Sequence, residues 1–144
     1  MDLALQAGKL RFAISEDASR IVWEAEGLPM KESRSADFWR LFLDNGEMRE
    51  ITIRSSRQRV EQTSEGLFIT YDELVSDFGD RYKVVLSIQI RPTAGTYDCL
   101  EWQAEVKNQA QARVNELQLP LLDVSVLCDE QRERDVYYKM NGLG

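Results

Sequence analysis

The chain has 144 residues, 43% hydrophobic and 30% charged, which is the make-up of one soluble domain able to bury a core without disulfide or metal staples. Its 18 basic residues stand against 25 acidic ones, for a net charge of -7, and that balance argues against nucleic acid or an anionic membrane surface as partner. There is no histidine, so Ser-His-Asp and Cys-His catalysis and imidazole-dependent metal sites are excluded.

The first residues, Met1 to Gln6, carry no basic region followed by an apolar run, so no secretory signal is visible and a cytoplasmic location is the expectation. Leu10, Phe12 and Ile14 alternate with Arg11 and Ala13, and Ile21, Trp23 and Ala25 alternate with Val22 and Glu24. Both runs predict short strands with one dry face. Trp39, Leu41 and Leu43 lead into Asn45-Gly46, a strong hairpin signal, with Ile51 and Ile53 on the return strand. Val60 marks a polar strand, Glu65-Gly66 a turn, and Leu67, Ile69 and Tyr71 the next strand. The stretch Tyr71 to Phe78 (YDELVSDF) suits one helical turn.

The clearest pattern follows. Tyr82, Val84, Leu86, Ile88 and Ile90 share one face; Lys83, Ser87, Gln89 and Arg91 share the other. Leu100, Trp102, Ala104 and Val106 then alternate with Glu101, Gln103, Glu105 and Lys107. Asn108 falls on the dry phase at the end of that strand, where its amide is expected to satisfy turn backbone. From Ala112 to Leu127 the phase slips, odd at Leu117, Leu119 and Leu121 and even at Leu122, Val124 and Val126. Pro120 is the expected cause, which places an edge strand there. Asp129 to Lys139 reads as a short helix or a solvated loop.

These elements predict an all-β fold of about nine antiparallel strands. Strands with one wet face each must cover one another, giving a two-sheet β-sandwich over residues 1–144 as a single domain, with a closed barrel as the alternative. No window reaches 18 apolar residues, so no membrane span is expected. Cys99 and Cys128 fit no metal spacing and read as reduced cysteines in or near the core, their pairing left open.

Chemistry-bearing residues are sparse. Asp72, Glu73, Asp77 and Asp80 cluster, but at no calcium-loop spacing, and read as a solvated turn. Glu101, Glu105, Glu116 and Asp123 are the carboxylates a glycosidase would have to draw on. Trp23, Trp39 and Trp102 all fall on apolar phases, which favours core packing; Trp102 and Trp23 are the candidates for stacking on sugar rings. No phosphate loop, CxxC motif or GxSxG elbow occurs. No catalytic residue, metal or cofactor is assigned.

The stretch Cys99 to Asp123 (CLEWQAEVKNQAQARVNELQLPLLD) resembles the galactose-mutarotase-like β-sandwiches: a long strand ending in Asn108, a short hairpin, then Leu117-Gln118-Leu119-Pro120 in an apolar run. Phe38-Trp39-Arg40-Leu41 is similar to the start of such N-terminal domains, and Val136-Tyr137-Tyr138 through Gly142 to their exit toward the next domain. The resemblance implies a super-sandwich at the N-terminal end of a longer, glycoside hydrolase-like protein, packed on a downstream catalytic domain of the same polypeptide. The family's mutarotases use a histidine that this chain lacks, so no catalytic residue carries over. Three readings follow: a non-catalytic domain of a carbohydrate-active protein, a stand-alone carbohydrate-binding module, and a two-carboxylate glycosidase.

Overall fold

A computed structural model describes residues 2–25, 31–33, 38–47, 51–93 and 98–121. Among them the chain is all-β, with no helix, and every strand pairing is antiparallel. In chain order the strands are β1 (Asp2–Ala7), β2 (Leu10–Ser15), β3 (Ile21–Ala25), β4 (Lys31–Ser33), β5 (Arg40–Asp44), β6 (Ile51–Thr63), β7 (Gly66–Ser76), β8 (Arg81–Tyr82), β9 (Val84–Pro92), β10 (Leu100–Asn108) and β11 (Arg113–Gln118). The count departs from the expected nine partly because β4 and β8 are too short to show a period.

The smaller sheet is a meander, β1-β2-β3-β4. Its first hairpin closes through Gly8, whose φ of +58° suits the tight turn. The Asp98 carboxylate, from just before β10, accepts from the Lys9 backbone N–H at 2.8 Å and so ties this hairpin to the larger sheet. The Gln62 side chain does the same from β6, donating to the Ala4 carbonyl at 2.9 Å.

The larger sheet follows the path β10-β9-β7-β6-β5-β11, with β8 pairing β7. Laid flat, β10 and β11 would lie about 24 Å apart, at about 4.8 Å per strand. Only Gln109 to Ala112 join them, and Asn108 Nδ2 donates to the Ala112 carbonyl at 2.7 Å across that bridge. The sheet therefore folds back on itself. Its bend lies in the long β6–β7 ribbon, where the register slips at Ser55, Arg57 and Gln58. The return brings Phe38, just before β5, to 5.9 Å from the Trp102 ring on β10.

One core fills the space between these layers. Phe12, Ile14 and Ile21 of the small sheet join Leu41, Leu43, Leu67, Ile69, Tyr71, Leu74, Leu86, Ile88 and Ile90 of the large one in a single buried cluster. The all-β, sandwich-like character expected from the alternation is what the chain adopts.

Three local expectations are corrected. The segment Tyr71 to Phe78 is not a helical turn: Tyr71 to Ser76 continue β7, because β6 pairs with it on both sides of Asp72, the extra residue that resets its phase and turns Leu74 inward after Tyr71. A bulge the alternation did not signal sits at Val114/Glu116, where β11 pairs with β5, whereas the slip expected beside Pro120, between Leu121 and Leu122, runs out of the described residues. Cys99 is exposed rather than packed in the core, on the connection that enters β10. Asn108 is exposed too, yet its amide serves the turn as expected, with Oδ1 accepting from the Ala110 N–H at 3.0 Å. Leu122, Val124, Val126, Cys128, the 129–139 segment and the Val136–Gly142 exit lie outside the described residues.

Candidate functional site

The outer face of β7, β9 and β10 carries a shallow groove of about 170 Å³, lined by Phe68, Ser87, Ile88, Gln89, Gln103 and Glu105. Strand register explains the grouping. Phe68 pairs with Gln89, and Gln89 with Gln103, making one row across three strands. Thr70, Ser87 and Glu105 make the next row along. Side chains in one row point to the same face, so an aromatic ring, a hydroxyl, two amides and a carboxylate converge.

Phe68 is half-buried, and its neighbours in sequence, Leu67 and Ile69, face the core. Among the described residues, Gln89 and Gln103 make no side-chain hydrogen bond, so their amides remain available. In the row beyond Gln89 and Gln103, Arg91 Nε and Nη2 donate to the Glu101 carboxylate at 3.1 and 2.9 Å. Those hydrogen bonds hold the Arg91 pKa above its ordinary value. Lys107 lies 3.9 Å from Glu105.

The tryptophans are placed otherwise. Trp102 is half-buried on the inner face of β10, its ring edge-on to Phe12 at 5.1 Å. Trp23 is half-buried on β3 and packs against the same core. Trp39 is buried beside Tyr71. None of the three lines the groove.

The carboxylates do not gather either. Glu101 and Glu105 share a face of β10 but stand about 13 Å apart along the strand, beyond the separations of either glycosidase geometry. Glu116 lies on β11, where Oε1 accepts from Gln118 Nε2 at 2.7 Å; Asp123 is outside the described residues. Asp72 and Glu73 sit in β7, each 3.8 Å from the Arg57 guanidinium, and among the described residues no acidic cluster could hold a metal ion. No described helix is long and apolar enough to cross a membrane.

Of the groove residues, the sequence singled out only Glu105. The signal for the others was Phe68, an aromatic on the wet phase between Leu67 and Ile69; joining it to Gln89 and Gln103 required the register. Comparison with protein-family models, with curated proteins and with solved structures finds no match to this chain.

Proposed function

We propose that the chain is a non-catalytic β-sandwich of galactose-mutarotase-like type, serving a carbohydrate-active protein by holding saccharide against the outer face of β7, β9 and β10. One observation carries this reading: the Phe68 ring sits in a cross-strand row with two uncommitted amides, Gln89 and Gln103. Sugar rings present apolar C–H faces and a rim of hydroxyls. An aromatic side chain receives the first, and amides, which both donate and accept, receive the second. Glu105 adds an acceptor and disfavours anionic sugars, so neutral glycans are the ligand class.

The other implied role, packing on a downstream catalytic domain, calls for a contiguous apolar patch. Among the described residues the large hydrophobic side chain exposed is Phe78, 71% accessible at the tip of the β7–β8 turn. A lone side chain makes a small docking face, so the saccharide reading leads.

Affinity electrophoresis on soluble neutral glucan, galactan, mannan and xylan tests it. The chain should be retarded by at least one of them. Gln103→Ala, at an exposed position, should abolish that retardation with an unchanged melting temperature. Trp102→Ala should instead cost about 3 kcal/mol of stability, as expected for an aromatic packed on Phe12 and Phe38. Free migration in all four polysaccharides, or retardation indifferent to Gln103, would defeat the reading.

A further inference from the structure

Natural sheets guard their edges with short strands, prolines, bulges or inward-pointing charges, because an unguarded edge pairs with another chain. The larger sheet guards most of its flanks this way. β11 is bulged at Val114/Glu116, and β8 is two residues long. Among the described residues β10 has none of these devices, and its charges, Glu101, Glu105 and Lys107, all stand on the outer face. It runs nine residues from Leu100 to Asn108 without proline, glycine or bulge, and pairs only β9 among the described residues. Its inner row is Leu100, Trp102, Ala104 and Val106, all uncharged and all half-buried, whereas Val84, Leu86, Ile88 and Ile90 beside it on β9 are fully buried.

The sequence of β10 also complements itself. Two antiparallel copies of one edge hydrogen-bond only when outward-facing backbone meets outward-facing backbone, so paired residues must share parity. Among such registers, the one of full overlap sets Leu100 opposite Asn108 and Ala104 opposite its own copy on the two-fold axis. On the outer face that register places Glu101 opposite Lys107 twice, and Gln103 opposite Glu105 twice. On the inner face it places Trp102 opposite Val106, an aromatic–β-branched pair of the favourable kind. Shifting by one allowed step in either direction sets glutamate against glutamate: Glu101 against Glu105, or Glu105 against its own copy. Maximal overlap and charge complementarity therefore select the same register. A two-fold contact of this sort is closed and stops at a dimer.

We infer that two copies of this chain associate through β10, antiparallel about Ala104, to make one continuous sheet across the dimer. The inference stands apart from the saccharide reading and can fail without it.

Sedimentation velocity over a concentration series, with the full chain, tests the pairing through a charge exchange. The unaltered chain should dimerise. Glu101→Lys alone sets lysine against lysine, and Lys107→Glu alone sets glutamate against glutamate, so each should weaken self-association about tenfold or more. Mixed in equal amounts, the two variants restore every opposite pair and should form a heterodimer. Melting curves of both variants confirm that they remain folded. As a register-specific check, Ala104→Cys with Cys99 and Cys128 replaced by serine should cross-link on mild oxidation, and Glu105→Cys in the same background should not. A chain that stays monomeric throughout, a dimer indifferent to both charge reversals, or a mixture that fails to associate would each overturn the inference.

Discussion

The rings of Trp39 and Tyr71 lie with centroids 4.9 Å apart and planes tilted by 59°, and both polar ends are buried without a hydrogen-bond partner among the described residues. The indole N–H and the phenol O–H are neighbours, yet their geometry closes no bond. A buried polar group in that state is a cost the surrounding packing must offset.

Replacing Tyr71 by phenylalanine should therefore be neutral or slightly stabilising in urea unfolding, whereas Tyr71→Ala should cost about 3–5 kcal/mol. Alkaline pH adds an independent check. Burial pushes the phenol pKa well above its ordinary value of 10, with the nearby indole N–H pulling the other way. A raised folded pKa means that the unfolded chain releases this proton first, so the contribution is whole below pH 10 and is lost as pH rises above it. Tyr71→Phe should lose less stability between pH 10 and 11 than the unaltered chain; equal losses would contradict the assignment.

Asp17 shows the opposite sign on the surface. Its Oδ1 accepts from the hydroxyls of Ser15 at 2.6 Å and Ser19 at 2.7 Å and from the Ser19 N–H at 3.0 Å. The Ser15 and Ser19 hydrogen bonds lower its pKa from 3.8 to about 2. A depressed pKa gives stability that is present above pH 4 and fades as pH falls toward 2. Melting temperatures of Asp17→Asn should accordingly drop less across pH 4 to 2 than those of the unaltered chain. Parallel curves would remove Asp17 from the account.

Two glycines separate close approach from turn geometry. At Gly66, with φ of +137°, an added Cβ would meet the Ile90 carbonyl oxygen at 2.2 Å. At Gly46, with φ of +89°, it would meet nothing within 4 Å. Gly66→Ala should cost about 3 kcal/mol or more, since strand β9 must move, and Gly46→Ala about 1 kcal/mol of backbone strain. A denaturant midpoint series on the two variants measures the difference, and equal costs would refute the close approach.

The parity of side chains in β9, and in β10 as far as Lys107, was legible, because alternation alone decides which face each residue takes; Asn108, at the strand's end, departs from it. Trp39 and Trp102 were rightly read as core for the same reason. The end of β7 was not legible: Leu74 points inward because β7 carries an extra residue, Asp72, between the partners of Arg57 and Gln58, and only the pairing with β6 shows it. β1 went unmarked since Leu3 and Leu5 alternate too briefly to stand out without β2 beside them. The groove was hidden for a deeper reason. Phe68, Gln89 and Gln103 belong to three separate segments, and only the strand register makes them neighbours.

The pairing of β11 with β5 has a consequence for biosynthesis. The pairings among β1 to β10 join strands close together in the chain, so each ribbon can form soon after it leaves the ribosome. Leu41 on β5 must wait for Leu117, about half the chain away. Until β11 emerges, the nascent domain keeps that flank of β5 uncovered, and it is during this interval that chaperones would find a foothold.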